Sequence, residues 1–146
     1  MKLSRRSILC AFPALLSCGP ARPHVTLHVA SDGDELAFKP NRLACPRDSD
    51  VTLFFRHNGS ILHDPHDWVL LKPDTEKDFL AAADASSGDD GIVAANKADI
   101  IARTPLCPMG QEVRVDFAAP APGTYPFVCS VPGHGESMRG LFEVLP

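Results

Sequence analysis

Apolar and polar residues alternate in short runs along most of this chain. Val25, Leu27 and Val29 are separated by Thr26 and His28, and Val51, Leu53 and Phe55 share one face of residues 51–56. Val113, Val115 and Phe117 alternate with Glu112, Arg114 and Asp116, an exposed strand face opposite an apolar one. A period of two is the mark of a half-buried strand. Residues 35–38 and 41–45 read as short strands around Lys39-Pro40, and the apolar run 68–71 as another. Residues 123–129 and 140–145 complete the set, and Asn58-Gly59 is a turn signal.

The middle of the chain breaks this pattern. Lys72-Pro73-Asp74 opens a stretch through Phe79, Leu80 and an alanine run, closed by Ser86-Ser87-Gly88. Proline at the start, acids early and alanines later predict a short helix near residues 73–86. About seven or eight short strands with one helical insertion predict an all-β fold, an antiparallel Greek-key β-sandwich.

Composition fits one domain. The chain has 146 residues, 45% of them apolar, enough for a hydrophobic core and too many for a disordered chain. Its 14 prolines sit mostly outside the apolar runs, which suits strands joined by turns better than a helical bundle.

Residues 1–22 read as an export signal, leaving a domain at 23–146. Lys2, Arg5 and Arg6 precede an apolar stretch from Ile8 to Leu16, too short to span a bilayer. Ser4-Arg5-Arg6-Ser7 resembles a twin-arginine signal, the alternative being an ordinary secretory signal that holds two arginines. Leu15-Leu16-Ser17-Cys18 resembles a bacterial lipobox, which would lipidate Cys18 and tether the domain to a membrane; the alternative is cleavage after Ala21. Removing residues 1–17 takes three of the fourteen basic residues and none of the eighteen acids, leaving a net charge of −7. That balance excludes a basic nucleic-acid footprint.

Five cysteines lie at positions 10, 18, 45, 107 and 129. The first two belong to the signal or the lipidation site, so three remain in an oxidising compartment. A Cys45–Cys107 bridge would leave Cys129 free and could add roughly 4 kcal/mol by closing its loop. The spacing does not fix that pairing.

Cys129, His134 and Met138 fall within ten residues, between two predicted strands. Thiolate and thioether are soft ligands suited to Cu(I), and imidazole suits both copper oxidation states. A His₂Cys set with a long axial Met is the ligand pattern of blue-copper sites, so a second histidine must come from elsewhere. His57, His63 and His66 are candidates, and His63-x2-His66 could form a separate surface site. His24 and His28, on the first strand, are expected to be solvated.

The spacing Cys129-x4-His134-x3-Met138, with Tyr125-x-Phe127 before it and Pro132-Gly133-His134 within it, resembles azurin, in the wider cupredoxin family. His66-Asp67-Trp68-Val69-Leu70 resembles the azurin segment that supplies the first ligand. The likeness runs faintly from about Val25 to the C-terminus, with an insertion at residues 72–100. It implies a cupredoxin-like sandwich holding one type 1 copper through His66, Cys129 and His134, with Met138 as the weak axial ligand. It also implies a backbone carbonyl opposite Met138, here that of Pro65, whose fixed φ differs from the glycine found in azurin. Asp67 stands where azurin has an asparagine that ties the ligand loops together. A carboxylate has no N–H to give, so the hydrogen bonds around the metal should differ.

The function so implied is electron transfer between redox partners, such as a cytochrome or a copper oxidase or reductase, with His134 as the electron port. The export signal places the domain in the periplasm or cell envelope, and its acidic balance favours a monomer. A copper-handling protein for delivery or buffering is the alternative, and the count of three methionines stands against it. Copper enzymes resemble longer chains with additional histidine clusters, so no enzymatic activity is expected.

Overall fold

The structure, a computed structural model, describes residues 21–61, 64–86 and 98–146. Cys18, residues 1–20 of the expected export signal, and His63 lie outside the described residues. Nine strands are present among those described: β1 (His24–Asp32), β2 (Glu35–Lys39), β3 (Arg42–Pro46), β4 (Asp50–Arg56), β5 (Val69–Leu71), β6 (Ile100–Arg103), β7 (Glu112–Ala118), β8 (Gly123–Val128) and β9 (Arg139–Leu145). They form two sheets, ordered β2-β1-β4-β7 and β3-β9-β8-β5-β6.

The alternation seen in the sequence sets which face of each strand is buried. Val51, Leu53 and Phe55 of β4 point into the core while Asp50, Thr52, Phe54 and Arg56 do not. Trp68 is the central side chain, its ring 5.6 Å from Phe127, 5.9 Å from Phe117 and 6.4 Å from Phe142. Tyr125 is held at its tip, its hydroxyl donating to the Ala121 carbonyl at 2.7 Å.

Both sheets are mixed, which corrects the antiparallel expectation. β1 runs parallel to β4, and β3 parallel to β9. Strands joined by a hairpin must be antiparallel, but β1 reaches β4 only after β3 has crossed to the other sheet. The strand β6 was not foreseen, because Ile100 to Arg103 has no two-residue alternation; its pairing with β5 makes it a strand.

The expected helix is present as α1 (Glu76–Asp84), shorter than the 73–86 anticipated. Asp74 has φ 63°, a left-handed conformation that no helix accommodates, so the helix starts only after Thr75. Phe79 and Ala83 are buried against Val69, Leu71 and Val128. Leu70, between the first two, faces the inter-sheet core instead. The three residues of β5 are therefore all buried because α1 covers the outer face of the sheet, as a strand buried on both sides requires.

Candidate metal centre

His66 comes from the segment entering β5, and Cys129, His134 and Met138 from the turn between β8 and β9. The His66 backbone is pinned by a two-way bridge: its amide donates to the Cys107 carbonyl at 3.2 Å and its carbonyl accepts from the Cys107 amide at 2.7 Å. The turn is closed on itself, with the Cys129 amide donating to the Met138 carbonyl at 2.9 Å and the Met138 amide to the His134 carbonyl at 2.8 Å. Gly133, at φ 79°, makes the left-handed step that aims His134 inward.

These backbone constraints bring three donor atoms together. The Nδ1 atoms of His66 and His134 are 3.2 Å apart, and Cys129 Sγ lies 3.9 Å from each. His66 is 1% exposed, Cys129 0% and His134 8%, so the cluster is closed to water except beside His134. Met138 is also fully buried, in the same core cluster as Cys129.

Burial governs the protonation of the cluster. It lowers the pKa of His66 from 6.5 to about 4, helped by repulsion from the neighbouring His57 and His134 rings and opposed by Asp64. It lowers that of His134 too, against the pull of Asp64 and Asp67. Both imidazoles therefore stay neutral with lone pairs to give. Burial pushes the Cys129 thiol far above its ordinary value, with the Asp67 carboxylate adding to the effect. Such a sulfur becomes a thiolate only when a cation takes the proton's place. Two neutral imidazoles and a buried sulfur, with no carboxylate among them, suit a soft or borderline metal and not calcium or magnesium.

His57 lies against the cluster without joining it. Its ring stacks on His66 at 4.3 Å, and both its nitrogens are occupied. Nδ1 accepts from the Gly59 amide at 3.0 Å, which leaves the Nε2 proton for the Asp64 carbonyl, also at 3.0 Å. His24 and His28 are exposed on β1, as expected, away from the cluster.

Cys45 and Cys107 are both free, buried thiols, which corrects the expected disulfide. Cys45 sits within β3, paired opposite Val144, whereas Cys107 serves the His66 bridge. The Cys107 sulfur is turned to the carbonyls of Gln111, at 3.2 Å, and Phe55, at 3.8 Å. Burial raises the pKa of both thiols, which keeps them protonated and poor nucleophiles.

Asp67 ties the two ligand segments by accepting. Its carboxylate takes hydrogen bonds from the amide and the hydroxyl of Ser130, at 2.7 and 2.6 Å, and pairs with Arg103 at 3.2 Å. Asp67 is fully buried and Arg103 is 21% exposed. Arg103 escaped the sequence reading because it belongs to β6, which no local pattern announced.

Residues 24–145 match the family of copper binding proteins described as plastocyanin/azurin. The chain is 38% identical to Auracyanin-A of Chloroflexus aurantiacus over 122 residues, covering 82% of this chain and 74% of that one. It is 28% identical to Azurin iso-2 of Methylomonas sp., covering 78% of this chain and 93% of that one. Among solved structures, auracyanin A, a "blue" copper protein from Chloroflexus aurantiacus, superposes with a TM-score of 0.74 at 37% identity, over 83% of this chain and 98% of that one. Reduced auracyanin from Roseiflexus castenholzii superposes with a TM-score of 0.72 at 31% identity, over 83% and 97%. With a cupredoxin sandwich, a buried His–Cys–His cluster and a match over nearly all of its described length, this chain belongs to the plastocyanin/azurin family of copper proteins.

Proposed function

We propose that this protein is a one-electron carrier, with copper held by His66, Cys129 and His134 and more weakly by Met138. The observation that carries this reading is the convergence of three buried donor atoms within 4.8 Å of one another. Copper in such a site supplies reversible Cu(I)/Cu(II) chemistry. The chain's own part is to hold the donors still, so that little moves when the charge changes. The His66–Cys107 bridge, the Asp67–Ser130 tie and the closed turn at 129–138 do so. Trp68, Phe127 and Val128, all fully buried, keep water away.

His134, the most exposed of the three donors, is the port through which a docked redox protein exchanges an electron. The Pro65 carbonyl, next to His66 in the chain, would serve as a further weak donor to the metal. Residues 1–22 act as an export signal, with Cys18 as the lipid attachment point, and the domain at 23–146 works as a monomer in the cell envelope. Its partners are redox proteins such as a cytochrome or a copper oxidase or reductase, and it catalyses no reaction itself. Among the described residues no helix is long and apolar enough to cross a membrane.

The test is a visible and EPR spectrum of the mature domain after Cu(II) addition, beside Cys129→Ser. An intense blue band with narrow copper hyperfine splitting, absent from the variant, is the expected result. A pale spectrum indifferent to Cys129 would overturn the reading.

A further inference from the structure

Helix α1 touches the ligand turn along one face. Glu76 accepts from Arg139 at 3.1 Å, and Asp84 Oδ1 accepts from the Gly133 amide at 2.7 Å. Between them the Leu80 side chain lies against Gly135, which is buried. A Cβ at Gly135 would collide with Leu80 and come within 2.9 Å of the Cys129 carbonyl oxygen. Residues 76, 80 and 84 are spaced by four, so they form one stripe along the helix. Phe79 and Ala83, on the adjoining stripe, pack against Val69, Leu71 and Val128. One helix thus rests on the sheet with one stripe and on residues 133–139 with the other.

Asp84 is at the wrong end of the helix for its charge. The C-terminal turn carries the negative end of the helix dipole, and α1 has no basic residue there to offset it. A carboxylate in that place weakens the helix by itself, and its hydrogen bond to Gly133 is the compensating contact. Gly133 immediately precedes His134, and the stretch touched by the helix contains both His134 and Met138.

We propose that α1 is a brace for the metal-ligand turn, with Asp84, Leu80 and Glu76 as positioning residues for His134 and Met138. The proposal rests on the copper-carrier reading above. The insertion then has a task inside its own domain: it stops the turn from opening at its outer side, where His134 is the only donor not sealed by the sandwich.

The experiment compares the wild type with Asp84→Ala, Asp84→Asn and Leu80→Ala. Amide hydrogen exchange at Gly133 is followed in the copper-free protein, with Leu53 in β4 as the control for global folding. Release of copper from the loaded, reduced protein to an excess of a Cu(I) chelator is followed in parallel. In Asp84→Ala, the loss of a charge-assisted hydrogen bond should speed exchange at Gly133 by about fivefold or more and copper release in step. Exchange at Leu53 should be unchanged, and Asp84→Asn, which keeps an acceptor oxygen, should fall between. Leu80→Ala should also speed copper release. Wild-type rates at Gly133 and for copper in both alanine variants would overturn the proposal, as would faster exchange without faster copper release. If the wild type bound no copper in a blue site, the carrier reading would fail, while Gly133 exchange would still show whether α1 holds the turn.

Discussion

The carboxylate of Asp67 accepts both the amide and the hydroxyl of Ser130, so the residue after His66 is bonded to the residue after Cys129. This link holds the two ligand segments at a fixed separation. Asp67→Ala would leave the Ser130 donors unpaired and Arg103 without its counter-charge. Losing one side of a buried ionic network costs about 3–5 kcal/mol. Thermal unfolding of the copper-free variant should show a loss of this size, and a change under about 1 kcal/mol would mean the tie is unimportant.

Arg103 neutralises that buried carboxylate from the edge of the cluster. In Arg103→Gln the Asp67 charge would act on the metal uncompensated, favouring Cu(II) over Cu(I). The reduction potential should fall, by an amount on the order of tens of millivolts. Voltammetry on the loaded variant checks this, and a rise in potential would contradict the assigned role.

The copper-free protein should lose stability in mild acid. In the folded chain His66 takes up its proton only near pH 4, whereas an unfolded histidine does so near 6.5. Between those values the unfolded state binds more protons, so stability falls as pH falls through this window and levels off below about 4. The slope contributed by this residue is at most about 1.4 kcal/mol per pH unit. Denaturant titrations at pH 7, 5.5 and 4 measure it, and His66→Gln should flatten the curve.

Alkylation distinguishes free thiols from a bridge. Unfolding the copper-free mature domain in iodoacetamide without a reductant should label Cys45, Cys107 and Cys129, since all three are free. Mass spectra showing label on Cys129 alone would restore the disulfide.

Much of the site was legible because three of its four proposed ligands lie in one turn. Cys129, His134 and Met138 are close in sequence, and Gly133 between them bends the chain. His66 needed the neighbouring Trp68-Val69-Leu70 to single it out from His57 and His63. The partners that hold these residues were not legible. Arg103, Cys107 and Asp84 are 36, 41 and 49 positions from the residues they hold, Asp67, His66 and Gly133, and no local period links them.

Local patterning, by itself, determined the all-β class, the strands with two-residue alternation, the approximate place of the helix and the soft character of the donor set. Those follow from side-chain chemistry at fixed short spacings, which every segment carries regardless of its neighbours. Tertiary structure decided that both sheets are mixed, that Ile100–Arg103 is a strand, and that Cys45 and Cys107 stay apart. It also decided that Asp67 ties the ligand segments by accepting and that α1 lies on the copper turn. Each of these depends on which distant segments the fold lays side by side, and burial then sets the charge state and hydrogen-bond partners of the groups that meet there.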